Sequence, residues 1–100
     1  MPKPYYEVDV PIQRTDNPTT RGRHVFVGEA WSRHEAIRIA HEVYETALTA
    51  SRTGREIPGR RRDGWASRGL RPGWELDWKA ATARLWVDSH SWATSGGDAA

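Results

Sequence analysis

The sequence predicts a small α+β domain, in which an antiparallel sheet of two or three strands packs on one main helix. Two observations predict this fold class: apolar residues alternate with a period of two near the N-terminus, and they recur at helical spacing over residues 33–52. A chain of 100 residues is one domain by length and buries only a small core. We expect the domain to span residues 1–92 and a disordered tail to occupy 93–100.

The first predicted strand is marked by Tyr6, Val8, Val10 and Ile12, which are apolar at every second position. This period is typical of a strand with one buried face and one solvated face. Because proline has no N–H to donate to a neighbouring strand, Pro11 predicts that this strand lies at a sheet edge or ends nearby.

A second strand is predicted at residues 23–31, where β-forming residues precede a helix start signal. The intervening residues 13–22 are rich in turn formers and too numerous for a tight hairpin turn, so we expect a mobile loop there. His24 lies in this second strand, and the sequence favours a metal ligand there no more than a surface residue. The two strands are expected to pair in antiparallel fashion.

The main helix is predicted to span about residues 33–52. Ser32 and Glu35 have the spacing of a capping box, and Gly54 is typical of a C-terminal cap. The residues at the expected buried positions are Ala36, Ile37, Ala40, Val43, Tyr44, Ala47 and Leu48. Those on the expected solvated face are Arg38, His41, Glu42 and Glu45.

The C-terminal part predicts a third strand, because Trp74, Leu76 and Trp78 alternate with polar residues. Residues 80–88 form either a short helix or a continuation of the strand, and their alanine content favours the helix. Trp74, Trp78 and Trp86 fall at apolar positions, so we expect them in the core, with a contact surface as the alternative.

Positive charge is concentrated at the end of the main helix and in the loop that follows it. We call residues 53–73 together with Arg52 the basic loop. From Arg52 to Arg71 the net charge is +5, whereas the rest of the chain carries −3. Glycine and proline recur throughout the loop and predict irregular structure. Loops of this length in small domains are usually functional or disordered.

The sequence contains no motif that predicts a catalytic or metal-binding site. The chain has no cysteine, which excludes disulfides, thiolate zinc sites and a cysteine nucleophile. His41 and Glu45 are one helical turn apart, but structural or catalytic metals usually take three or four protein ligands. No nucleophile signature surrounds the Asp88–Ser91 run, and Glu75 and Asp77 are expected on the wet face of a strand. No phosphate-binding glycine motif is present.

These exclusions predict a non-enzymatic protein without metal or cofactor. The N-terminal residues lack the apolar region of a signal peptide and any run long enough to span a bilayer. We therefore expect a soluble cytoplasmic protein with no membrane partner.

The basic loop is the predicted functional site, in contact with DNA or RNA. Guanidinium groups bind phosphate oxygens, and an exposed indole offers a face for an unpaired base. The predicted contact residues are Arg52, Arg55, Arg60, Arg61, Arg62, Trp65, Arg68 and Arg71, with Trp65 interpreted as the free aromatic of the loop. Two alternatives stay open. The protein is an adaptor that docks on an acidic protein surface without binding nucleic acid, or the loop folds back onto the acidic remainder of the chain.

Overall fold

The computed structural model describes residues 3–66, 70 and 72–86, and it has an α+β architecture. One helix packs against one face of an antiparallel sheet, which confirms the predicted α+β class, but the sheet has four strands and not the two or three expected. The elements are β1 (Tyr5–Arg14), β2 (Arg21–Glu29), α1 (Arg33–Arg52), β3 (Trp74–Leu76) and β4 (Thr82–Leu85). A short 3₁₀ turn, Trp78–Ala80, separates β3 from β4.

β1 is the central strand of the sheet. It pairs along one side with β2, from Tyr5 opposite Glu29 to Gln13 opposite Arg21, so the predicted antiparallel pair is confirmed. Both strands extend further into the connection than predicted, which leaves only residues 15–20 between them, whereas β2 ends at Glu29 and not at residue 31. On the other side, β3 pairs with residues 12–14 of β1 and β4 pairs with residues 6–9. β3 and β4 therefore act as one interrupted strand.

The interpretation of Pro11 as a sign of an edge strand is wrong, because β1 has neighbours on both sides. The carbonyl of Pro11 accepts a hydrogen bond from the Asp77 N–H at 2.9 Å, so its backbone faces the side of β3 and β4. That side is interrupted at this level by the 3₁₀ turn. The missing N–H of Pro11 therefore coincides with a break in the neighbouring strand and removes no ladder hydrogen bond.

The preference for a helix after Ala80 is also wrong, since Thr82–Leu85 forms β4. A helical segment of a few residues is unstable by itself, because its first turn fixes several dihedral angles for one hydrogen bond. The same residues gain ladder hydrogen bonds along the exposed edge of β1. The predicted tail at 93–100 lies outside the described residues.

The N-terminus of α1 has the predicted cap, with a shift of one residue. The Ser32 hydroxyl accepts a hydrogen bond from the Glu35 N–H at 3.1 Å. The Glu35 carboxylate accepts from the N–H of Trp31, at 2.6 Å, rather than from that of Ser32. Both interactions satisfy backbone donors at the start of the helix.

The C-terminus of α1 ends at Arg52, as predicted, and closes in a Schellman motif. Gly54 has a φ of +73°, a conformation that favours glycine. The Arg55 N–H donates to the Ala50 carbonyl at 2.8 Å, and the Gly54 N–H donates to that of Ser51 at 3.3 Å. The first residues of the basic loop are therefore held against the helix end.

The core lies between α1 and the inner face of the sheet. The helix residues buried there are Ala36, Ile39, Ala40, Tyr44, Ala47 and Ala50. Ile37, Val43 and Leu48, which were expected at buried positions, are only partly buried. The buried stripe is thus rotated toward Ile39 and Ala50, while the four residues predicted on the solvated face are exposed.

An aromatic cluster joins the helix to both sides of the sheet. His24 is 1% exposed and stacks on Phe26 with ring centroids 4.5 Å apart, so it is a core residue and not a surface residue. Trp78 is partly buried against Phe26, at 5.7 Å. His41 covers the outside of Trp78 in a stacked arrangement at 4.3 Å. Trp78 thereby packs the interrupted third strand onto α1.

Candidate nucleic-acid interface

Trp65 is a core residue and not a free aromatic, which corrects its predicted role. It is fully buried, and its indole N–H donates to the Glu29 carbonyl at 2.8 Å. The ring lies flat over Gly28, where a β-carbon would overlap it. Trp65 buries the large apolar surface of its indole while the indole N–H keeps a hydrogen-bond acceptor. A buried tryptophan usually has such an acceptor.

Trp65 anchors a tight turn of the basic loop to the end of β2. The Asp63 carbonyl accepts from the Glu29 N–H at 2.8 Å, and the Gly64 N–H donates to the Arg61 carbonyl at 3.0 Å. Gly64 has a φ of +91°, and a β-carbon there would lie 3.0 Å from the Tyr5 ring. This part of the loop therefore has a defined position beside the sheet.

The arginines predicted to contact nucleic acid are exposed wherever the structure describes them. Arg52 ends the helix and Arg55 follows its cap, while Arg60, Arg61 and Arg62 lie on or next to the anchored turn. Arg68 and Arg71 lie outside the described residues. The structure brings Arg60, Arg61 and Arg62 together, and we call them the arginine triplet. Arg52 and Arg55 lie at the other end of the segment 55–61, which runs back along α1.

The triplet is unequal in its ion pairing. Arg61 binds Asp63 at 2.8 Å, so its charge is met by a carboxylate of the same turn. With the described acidic side chains, Arg60 and Arg62 form no ion pair, and neither do Arg52 and Arg55. The described part of the basic loop thus keeps four guanidinium groups available to another molecule.

A cleft of about 610 Å³ opens between the anchored turn and the end of the sheet. Its lining residues are Tyr5, Val27, Arg60, Gly64, Ala66 and Trp86. Tyr5 is 37% exposed and Trp86 is 43% exposed, so the core position expected for Trp86 is wrong. We call this site the Tyr5–Trp86 cleft. It places one unpaired guanidinium beside two accessible aromatic side chains.

Sequence reasoning missed this pair of aromatics. Tyr5 precedes the alternating series that begins at Tyr6, and strand periodicity alone places it on the opposite, outward face. Trp86 comes next to it only because β4 pairs with β1, where the Trp86 N–H donates to the Tyr5 carbonyl at 2.8 Å. That pairing joins residues far apart in the sequence, and no local pattern signals it.

The open face of the sheet carries a charge cluster that neutralises itself. Arg84 binds Glu7 at 3.1 Å and Asp9 at 4.0 Å, and Arg23 lies 3.7 Å from Asp9. Burial, and secondarily a hydrogen bond and repulsion from Glu7, raise the pKa of Asp9, against the opposing effect of the two arginines. The centre of this face therefore has no excess positive charge, whereas Arg60 at the Tyr5–Trp86 end has no described acidic partner.

The other residues considered for chemistry have structural roles. Asp77 accepts from the Ala80 N–H at 3.2 Å and caps the 3₁₀ turn, while Glu75 accepts from the Gln13 side chain at 3.3 Å. His41 and Glu45 are 3.6 Å apart. Across residues 3–66, 70 and 72–86, no three histidine or carboxylate side chains gather into a metal site. The Asp88–Ser91 run lies outside the described residues.

Two further findings bear on the class of the protein. In the described part of the chain, α1 lacks the apolar length needed to cross a membrane, and no other helix approaches it in length.

Comparison with protein-family models, curated proteins and solved structures finds no significant match.

Proposed function

We propose that this chain is a cytoplasmic, non-enzymatic accessory or regulatory protein that contacts nucleic acid through its basic loop. The observation that carries the proposal is the position of Arg60, which has no described acidic partner and lies in a cleft with two exposed aromatic side chains. Phosphate contacts hold and orient a nucleic acid, and aromatic faces receive its bases.

Arg60 and Arg62 are the principal phosphate contacts in this proposal. An unpaired, exposed guanidinium exchanges only water and counterions for phosphate, so binding breaks no existing ion pair. Arg61 would first have to leave Asp63, and we expect it to contribute less. Arg52 and Arg55 extend the basic surface along the returning segment of the loop.

Docking on an acidic protein surface is the second candidate, since the same four guanidinium groups would serve it. The cleft favours nucleic acid, because its unpaired guanidinium and its exposed aromatic side chains can bind a phosphate and the face of a base together. Tryptophan, tyrosine and arginine are also typical anchors of protein interfaces, so the titration must decide between the two candidates.

The test is a titration of labelled oligonucleotides at several salt concentrations with the double variant Arg60→Gln/Arg62→Gln. Each phosphate contact contributes about 0.9 to the slope of log affinity against log salt on duplex DNA. We expect the double variant to bind all sequences more weakly and to lose about two units of slope.

The matched control is Arg21→Gln/Lys79→Gln, which removes the same charge from two exposed side chains at the other end of the sheet that form no ion pair with the described acidic side chains. The two ends of β1 are about 30 Å apart at roughly 3.3 Å per residue. This control should retain most of the affinity. Equal losses in both variants would show that only net charge matters, and wild-type binding weaker than about 100 μM near physiological salt would exclude nucleic acid and leave the protein adaptor.

A further inference from the structure

We infer that the Tyr5–Trp86 cleft is a stacking site for an unpaired base, so that the ligand is a single-stranded nucleic acid. This inference rests on the proposed function and names its substrate class. A cleft of about 610 Å³ lies within the range of roughly 300–1,000 Å³ that is usual for small-molecule sites. It is therefore large enough to take up one nucleobase with part of its sugar.

The two aromatic side chains are available to a ligand and are not committed to each other. Among the described aromatic contacts, there is none between the Tyr5 and Trp86 rings, and each residue as a whole is more than a third exposed. The backbone hydrogen bond between the two residues fixes them side by side on neighbouring strands. A flat group entering the cleft meets an aromatic face without displacing a core side chain.

The cation of the site is positioned by the fold. Gly64 packs its backbone against the Tyr5 ring, and the buried Trp65 holds the turn in place, so Arg60 stays at the cleft. A base stacked in the cleft thus has a guanidinium beside it for its own phosphate. Because the turn is already ordered, binding does not have to fix it, which favours affinity.

A duplex does not satisfy this geometry. Its bases expose edges in the grooves, while their faces are covered by neighbouring base pairs. A single strand presents a free face at little cost, and stacking of this kind tolerates any base. The neutralised centre of the open face, with Glu7 and Asp9, limits phosphate contacts there and confines the site to one end of the sheet.

The test compares the full chain with the variants Trp86→Leu and Trp86→Phe on labelled single-stranded DNA, single-stranded RNA and duplex DNA of equal length. We expect tighter binding of single strands than of duplex. Trp86→Leu should weaken single-strand binding about 5- to 150-fold, with the salt slope unchanged, because one stacked base is lost. Trp86→Phe should restore most of the affinity. The two single-stranded arms show whether the sugar is distinguished.

The matched control is Trp31→Leu, because Trp31 is 58% exposed but does not line the cleft. It should leave single-strand binding unchanged, and thermal unfolding should show that both leucine variants are folded. If nucleic acid binds through Arg60 and Arg62 but Trp86→Leu has no effect, the stacking site is wrong and the proposed function stands. If neither single strands nor duplex bind the wild-type chain, both are overturned.

Discussion

Gly28 of β2 lies directly beneath the indole of Trp65, so closely that a β-carbon at this position would overlap the ring. The contact joins the edge of the sheet to the only tryptophan among the described residues that is fully buried. It also fixes the turn that carries Arg60, Arg61 and Arg62. A core contact and the candidate site thus depend on the same side chain.

We expect Gly28→Ala to destabilise the domain by about 2 kcal/mol or more, because the ring must move within a packed core. This cost exceeds the roughly 0.4–1 kcal/mol gained when alanine replaces glycine without strain. Gly22→Ala is the matched control on the same strand, since its β-carbon would lie at an ordinary 3.6 Å from Ile12. Urea unfolding of both variants measures the difference, and equal stabilities would contradict the Gly28 contact.

The pKa of Asp9 predicts a pH dependence of stability. Burial raises this pKa above its usual value of 3.8, so the folded state holds the proton more tightly than the unfolded chain does. The ionised carboxylate therefore costs stability at every pH above the raised pKa. We expect Asp9→Asn to be more stable than wild type at pH 7, and the advantage to disappear as the pH falls toward 4. Arg23 and Arg84 remain mostly solvated after the change.

Asp16→Asn provides the opposite case for the same measurement. A hydrogen bond from Arg14 lowers the pKa of Asp16, so its ionised form is favoured in the folded state. This variant should gain no stability at pH 7. Chemical unfolding between pH 4 and pH 7 compares the two variants, and a less stable Asp9→Asn protein at neutral pH would show that the arginine pairs outweigh burial.

The fold was predictable where local patterns determine it. Ser32, Glu35 and Gly54 mark both ends of α1 through interactions that span a few residues, and the alternation from Tyr6 to Ile12 marks β1. The interruption between β3 and β4 was not predictable, since it depends on how these strands fit along β1.

The candidate site was predictable only in its charge. Composition located the arginines, but it could not separate Arg61, which is paired with Asp63, from Arg60. Local sequence does not show whether a tryptophan is buried, and the sequence predicts an exposed Trp65 and a core Trp86, whereas Trp65 is buried and Trp86 is exposed. Trp65 is buried because Gly28 leaves room for its ring. Trp86 is exposed because it follows the last residue of β4, at the end of the sheet.

Trp65 and Trp86 should respond in opposite ways to substitution. Trp65→Phe keeps an aromatic ring in the core but loses the hydrogen bond to the Glu29 carbonyl, which costs about 1–3 kcal/mol when a buried acceptor is left unsatisfied. We expect lower stability and, at temperatures where the variant is fully folded, a smaller loss of single-strand affinity than Trp86→Leu causes, because the phenyl ring still packs over Gly28 and supports the turn. Trp86→Leu should keep its stability and lose affinity. Parallel measurement of unfolding and oligonucleotide binding separates the two roles. A Trp65→Phe protein of wild-type stability that binds single strands more weakly would contradict the burial of Trp65 and make it the stacking residue.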